Sequence, residues 1–185
     1  MNNEEKIRKI KSISGTSVYR GFEFKYDSDP KYLYVLGNSD KLFLSAIEED
    51  FQLNGFCIRK IKHIKKIKKV SETVLNISRS LGLRENLKVP KIDLTSWKTV
   101  LEGLRDMGCL VIVENEKKGV FFYMGKSCGI YEDEFEFSPI EADGTWGADV
   151  TIKYSRLTSV TFADRYSQTC DKYLEENWEQ ICNEH

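Results

Sequence analysis

Asp40–Asp50 recurs ninety-three positions later as Asp133–Asp143. Asp, Ser, Ile, Glu and Asp are identical at that constant shift, and Leu42 and Leu44 are answered in alternation by Phe135 and Phe137. Downstream, Ile64, Ile67 and Ser71 meet Leu157, Val160 and Asp164. Upstream, Leu36-Gly37-Asn38-Ser39 matches Met124-Gly125-Lys126-Ser127 if the second copy carries a loop five residues longer. Similarity at so long a period implies one small unit built twice. The expected halves are residues 1–82 and 93–185, joined by a linker over 83–92. With 41% hydrophobic and 12% aromatic residues, each copy can bury a core, which excludes a disordered polyampholyte.

Each copy reads as helix, strands, helix. Asn3 is placed to cap a first helix that carries Glu4 and Glu5 in its first turn, where the helix dipole favours acids, and Ser14-Gly15 ends it. Thr95 or Ser96 opens the corresponding helix of the second copy, with Trp97, Val100, Leu101 and Leu104 on one face and Gly108 at its end. Alternating apolar residues predict strands around Phe22–Tyr26, Tyr32–Leu36 and Leu42–Leu44. In the second copy they predict Leu110–Glu114, Val120–Met124, Phe135–Phe137 and Val150–Tyr154. Ser71 and Asp164 are each placed to cap a closing helix, the second with Tyr166, Cys170, Tyr173, Leu174, Trp178 and Ile181 on one face.

The stretch Ile58–Val70 repeats its apolar residues every third position, which fits neither an α-helix nor a strand. A strand ending near Lys60, one 3-10 turn over Ile61–Ile64 and a second strand to Val70 resolves the conflict, because a 3-10 turn has three residues per turn and serves as a short connector. Ile152, Tyr154, Leu157 and Val160 repeat the device. Strand, 3-10 turn and crossing strand form the closing step of SH3-like and Sm-like barrels. The expected fold is therefore mainly β with flanking helices: two tandem SH3/Sm-like barrels related by internal duplication, each closing its own sheet.

The pattern Gly37…Asp40…Leu42-x-Leu44…Asp50, then Gly55-Phe56-x-Ile58-Arg59…Ile64, with Asp93-Leu94-Thr95-Ser96-Trp97 opening the second half, resembles a group of bacterial proteins with two Sm-like barrels in tandem. The resemblance implies a fold and no activity. Sm proteins hold uridine with an Asp and an Asn in one motif and an Arg-Gly pair in the other. Here Asp40 has no matching Asn and Arg59 is followed by Lys60, so no nucleotide site carries over.

Charge divides the chain. Residues 1–90 hold 18 basic and 11 acidic side chains, residues 91–185 hold 10 and 18, and the total is −1. Arg59, Lys60, Lys62, Lys65, Lys66, Lys68 and Lys69 form a ridge expected to stand outward while the isoleucines turn in. A ridge of this kind could hold an acidic protein, the acidic half of a second copy, or phosphates in a salt-dependent and sequence-blind way. Trp146, in the turn Gly144-Thr145-Trp146-Gly147, is a further candidate contact, because Trp is frequent among interface anchors; the alternative is that it plugs one barrel end.

Enzyme chemistry finds little footing. Nucleophilic catalysis needs a base beside a Ser or Cys, yet the two histidines are His63, expected at the surface among lysines, and His185. The five cysteines lack C-x-x-C spacing and read as buried free thiols, so no metal or cofactor is expected. Glu48-Glu49-Asp50 and Glu132–Glu136 read as solvated acids. Neither a leader nor a membrane span is evident, and a cytoplasmic location is expected. The expected function is a non-enzymatic module for protein binding or self-assembly. Weak, nonspecific nucleic-acid binding through the basic half is the alternative.

Overall fold

A computed structural model describes residues 1–183, with side chains from 177 onward and that of residue 118 left aside. Helix α1 (Asn3–Ile13) begins at a capping box: Asn2, not Asn3, accepts from the Glu5 N–H, and Glu5 accepts in return from the Asn2 N–H. Strands β1 (Tyr19–Phe24), β2 (Lys31–Asn38), β3 (Leu42–Glu49) and β4 (Gln52–Lys60) follow. A 3-10 turn at Ile61–His63 leads into β5 (Ile64–Lys69), and α2 (Glu72–Ser80) starts at the Ser71 cap. The chain then repeats this succession. Helix α3 (Trp97–Asp106) is followed by β6 (Val111–Asn115), β7 (Phe121–Ile130), β8 (Glu134–Pro139) and β9 (Val150–Lys153), with a short 3-10 turn at Lys117–Gly119 between β6 and β7. A 3-10 turn at Tyr154–Arg156, β10 (Ser159–Phe162) and α4 (Arg165–Asn183) complete it. The turns at Ile61 and Tyr154 stand at the shift of ninety-three that the sequence shows.

All pairings are antiparallel, in one open ten-stranded sheet of order β5-β1-β2-β3-β4-β10-β6-β7-β8-β9. Each half contributes its five strands in the same relative order. Two separately closed sheets were the expectation; instead β4 and β10 pair directly, Arg59 with Ser159 through Phe56 with Phe162, and join the halves edge to edge. Burial explains the merger. Ile58 on β4 and Val160 and Phe162 on β10 are all fully buried, so pairing these strands covers apolar side chains along with their backbone groups.

The cores cross the seam as well. One cluster unites Leu42, Leu44, Ala46 and Ile58 of the first half with Trp97, Leu101, Phe135, Phe137 and Val160 of the second. A smaller one, beneath α1, gathers Ile10, Phe22, Phe24, Phe43, Ile61 and Ile64. A third sets Leu174 of α4 against Leu110, Ile112 and Met124. Segment 83–92 contains neither strand nor helix, and Leu87 and Ile92 pack on the shared core.

The structure revises one alignment. A register break falls between Val35 and Gly37 on β2 and between Ser127 and Gly129 on β7, so Gly37 corresponds to Gly129 and not to Gly125. The extra residues lengthen β7, and the turns that follow, 39–41 and 131–133, are equally long.

Candidate functional site: the seam and the lysine segment

Strand alternation sends Ile58 into the shared core and Cys57 and Arg59 to the opposite face of β4, a face that β10 and β6 continue. Arg59 is 7% exposed. Its Nη1 lies 2.7 Å from Glu116 Oε1, its Nη2 3.6 Å from Asp27 Oδ2, and its guanidinium carbon 4.5 Å from the centre of the Phe24 ring. Glu114 stands alongside on β6, where its Oε2 accepts from Ser159 Oγ at 2.8 Å. Burial raises the Glu114 carboxyl pKa, with Glu116 and Asp27 reinforcing the rise and the Ser159 bond and Arg59 opposing it. Burial likewise pushes the Cys57 thiol up, which leaves it a poor nucleophile. These groups floor a cleft of about 830 Å³ whose rim carries Asp29, Glu49 and Asp50. An arginine enclosed by two carboxylates and an aromatic face is a satisfied ion cluster, and it holds the two halves in register.

Arg59 is thus withdrawn from the expected ridge, and so in large part is Lys60. The Lys60 ammonium crosses the seam to donate to the carbonyls of Tyr154 and Ser155, each at 3.4 Å, and sits 5.9 Å from the Trp97 ring centre. Burial lowers its pKa to about 8, helped by Lys62 and Lys117. Lys62 is exposed, and its carbonyl accepts from Lys6 Nζ at 3.1 Å. Lys65, Lys66, Lys68 and Lys69 lie exposed along β5, one free edge of the sheet, with Lys68 paired to Glu23. The continuous ridge therefore resolves into one buried residue, one seam residue, one turn residue and a four-lysine edge.

His63 is not at the surface. It is 6% exposed with Tyr26 edge-on at 5.0 Å, and burial lowers its pKa to about 3, assisted by Lys60, Lys62, Lys117 and Lys25. The 3-10 turn, with three residues per turn, carries the ring inward along with Ile61 and leaves Lys62 outside. Glu48 is also buried, contrary to its reading as a solvated acid. Its Oε1 accepts from the Phe51 N–H at 2.8 Å and so caps a tight turn in which Asp50 and Phe51 take φ of 50° and 59°. Glu132 is exposed and bound to Lys98 at 2.7 Å. Trp146 is half-buried, bridges Ile140 and packs against the cluster that holds Leu174. Cys57 is buried, Cys109 and Cys170 half-buried and Cys128 exposed, whereas Cys182, Trp178, Ile181 and His185 lie outside the described side chains. Among the described residues no group of three or more His, Cys, Asp or Glu is placed to hold a metal ion, and no helix is long and apolar enough to cross a membrane.

Sequence reasoning missed Asp27, Glu114, Glu116 and Trp97 as members of these sites. One signal was available: Glu114 interrupts an apolar run on β6. No family model, curated protein or solved structure matches the chain.

Proposed function

We propose that the two halves are copies of one Sm-like unit whose sheets are fused and not separately closed, and that the chain is a non-enzymatic interaction module that assembles edge to edge. The β4–β10 pairing carries this reading. By the shift of ninety-three, β10 is the counterpart of β5 and β9 the counterpart of β4. The two strands left at the ends of the sheet, β5 and β9, are thus the same two kinds of strand that pair inside the chain. Laying β9 of one copy along β5 of another would repeat the internal seam, opposing Lys69 to Asp149 and Lys66 to Ile152. A head-to-tail contact of this kind generates a ring or a filament. The charge split favours it, since the basic edge belongs to the +7 half and the receiving edge to the −8 half.

Lysines on an edge strand also discourage indiscriminate pairing; in this register Asp149 is the acid that meets them directly, beside the uncharged Val150, Thr151 and Ile152. Size-exclusion chromatography with light scattering tests the reading. Assembly is expected at low salt, with dissociation at high salt and in the double variant Lys66→Glu, Lys69→Glu. A monomer at every salt and protein concentration overturns it. Micromolar binding of an RNA or DNA oligonucleotide, lost steeply as salt rises, would instead assign the lysine edge to phosphates.

A further inference from the structure

Where the 3-10 turn after β4 faces the first turn of α3, a cavity of about 470 Å³ opens, the size of a small-molecule site. Leu42, Trp97 and Tyr154 supply its apolar lining, and Lys41, Lys60 and Lys62 border it from the first half. Its two acids are already matched, Asp40 by Lys11 at 2.9 Å and Glu132 by Lys98 at 2.7 Å. Among the described residues Lys41, Lys60 and Lys62 have no carboxylate partner, which leaves the cavity an excess of positive charge.

The second half adds donors. Ser96 caps the Thr99 N–H at 3.1 Å, and among the described residues the main-chain N–H groups of Trp97 and Lys98, at the positive end of α3, have no acceptor. Trp97 is 6% exposed and its indole Nε1–H is closed off from solvent without an acceptor among the described residues, so what this residue offers the cavity is a margin of ring surface and not a donor. Lys60, whose ammonium lies over that ring, is otherwise held by two long bonds to carbonyls.

The geometry points to a binding site for a small molecule that joins one phosphate or carboxylate to a flat apolar body. The anion meets Lys60, Lys62 and the first amides of α3, where helix dipole and ammonium charge act together. The body lies against Tyr154 and the exposed margin of Trp97. The site does not depend on edge-to-edge assembly.

Calorimetric titration of the full chain at low salt tests it, with phenyl phosphate, benzoate and inorganic phosphate as probes. Phenyl phosphate is expected to saturate one site per chain and to bind about tenfold or more tightly than inorganic phosphate, from the buried ring. Comparison with benzoate decides whether the anion is a phosphate or a carboxylate. Lys60→Gln, checked for folding by circular dichroism, is expected to weaken binding about tenfold or more. Lys65→Gln with Lys66→Gln, which lie away from the cavity, leaves it unchanged. Binding is also expected to raise the pKa of Lys60, read by NMR of the dimethylated lysines. Absence of saturation at millimolar probe, equal affinity for phenyl and inorganic phosphate, or indifference to Lys60→Gln would overturn the assignment.

Discussion

Replacing Arg59 by Ala takes the cation out of a cluster that has almost no access to water. Glu116 and Asp27, each with a side chain 13% exposed, then lose their buried counter-charge, and Glu114 loses the positive field that opposes its burial. Breaking a buried pair by removing one partner costs about 3–5 kcal/mol. For a chain of this length that corresponds to a fall of about 6–20 °C in Tm. The deficit depends on pH in a definite direction. The folded pKa of Glu114 lies above its ordinary value, so this group's contribution to stability is present at acid pH and is lost as pH rises through the folded value. Without Arg59 that value climbs further. The variant is therefore expected to be most impaired near neutrality and to recover partly toward pH 5. Urea unfolding of both proteins at pH 7 and pH 5 reads the effect as a shift in midpoint. The double variant Arg59→Ala, Glu116→Ala should lose less than the two single variants summed, because it leaves fewer orphaned charges. A cost below about 1 kcal/mol at pH 7, or one that grows on acidification, would refute the ion cluster as the clamp of the seam.

Other consequences can be checked separately. His63 titrates far below an ordinary histidine, so it contributes stability above about pH 6.5 that is lost as pH falls toward 3; its imidazole signals should still report the neutral ring at pH 5, and titration near 6.5 would contradict its burial. A Cβ on Gly55, where φ is +74°, would come within 2.5 Å of the Asp164 main-chain nitrogen, so Gly55→Ala should destabilise by about 2–4 kcal/mol in chemical denaturation; a neutral effect would mean that the backbones at the seam are not in close contact. A thiol reagent should modify exposed Cys128 in seconds to minutes and reach Cys57 only on unfolding; comparable rates would show the seam to be open in solution.

How far the sequence reached is clearest at the two 3-10 turns. An apolar period of three over Ile58–Val70 has few solutions, and Ile61–His63 and Tyr154–Arg156 adopt the one expected. Helix starts at Ser71 and Ser96 were legible because their side chains cap through neighbours three residues away. Asp164 likewise accepts from the N–H groups of Tyr166 and Ser167. The seam was not legible. Alternation shows that Ile58 and Val160 are buried but not that they adjoin, since a strand pattern fixes faces and leaves lateral partners open. Arg59 was misplaced for the same reason. It sits within a run of lysines, and only the arrival of Glu116 from the turn after β6 and Asp27 from the β1–β2 turn makes its burial tolerable. The Gly37–Gly129 correspondence escaped because the glycine is matched but its neighbours are not, Leu36 and Asn38 answering to Cys128 and Ile130, so that Gly125 with Ser127 two residues on gave the better sequence match.

The pairing of β4 with β10 also sets a timetable for the newborn chain. β4 ends at Lys60, and its neighbour begins only at Ser159. At the usual pace of translation the ribosome needs about 5–20 s to make the intervening hundred or so residues. Throughout that interval the apolar flank of β4 has emerged without its mate, in a form open to any other strand in the crowd. A chaperone holding the nascent first half, or slow local folding that keeps β4 unformed until the last strand is synthesised, would guard this chain where a pair of self-sealed domains would require neither.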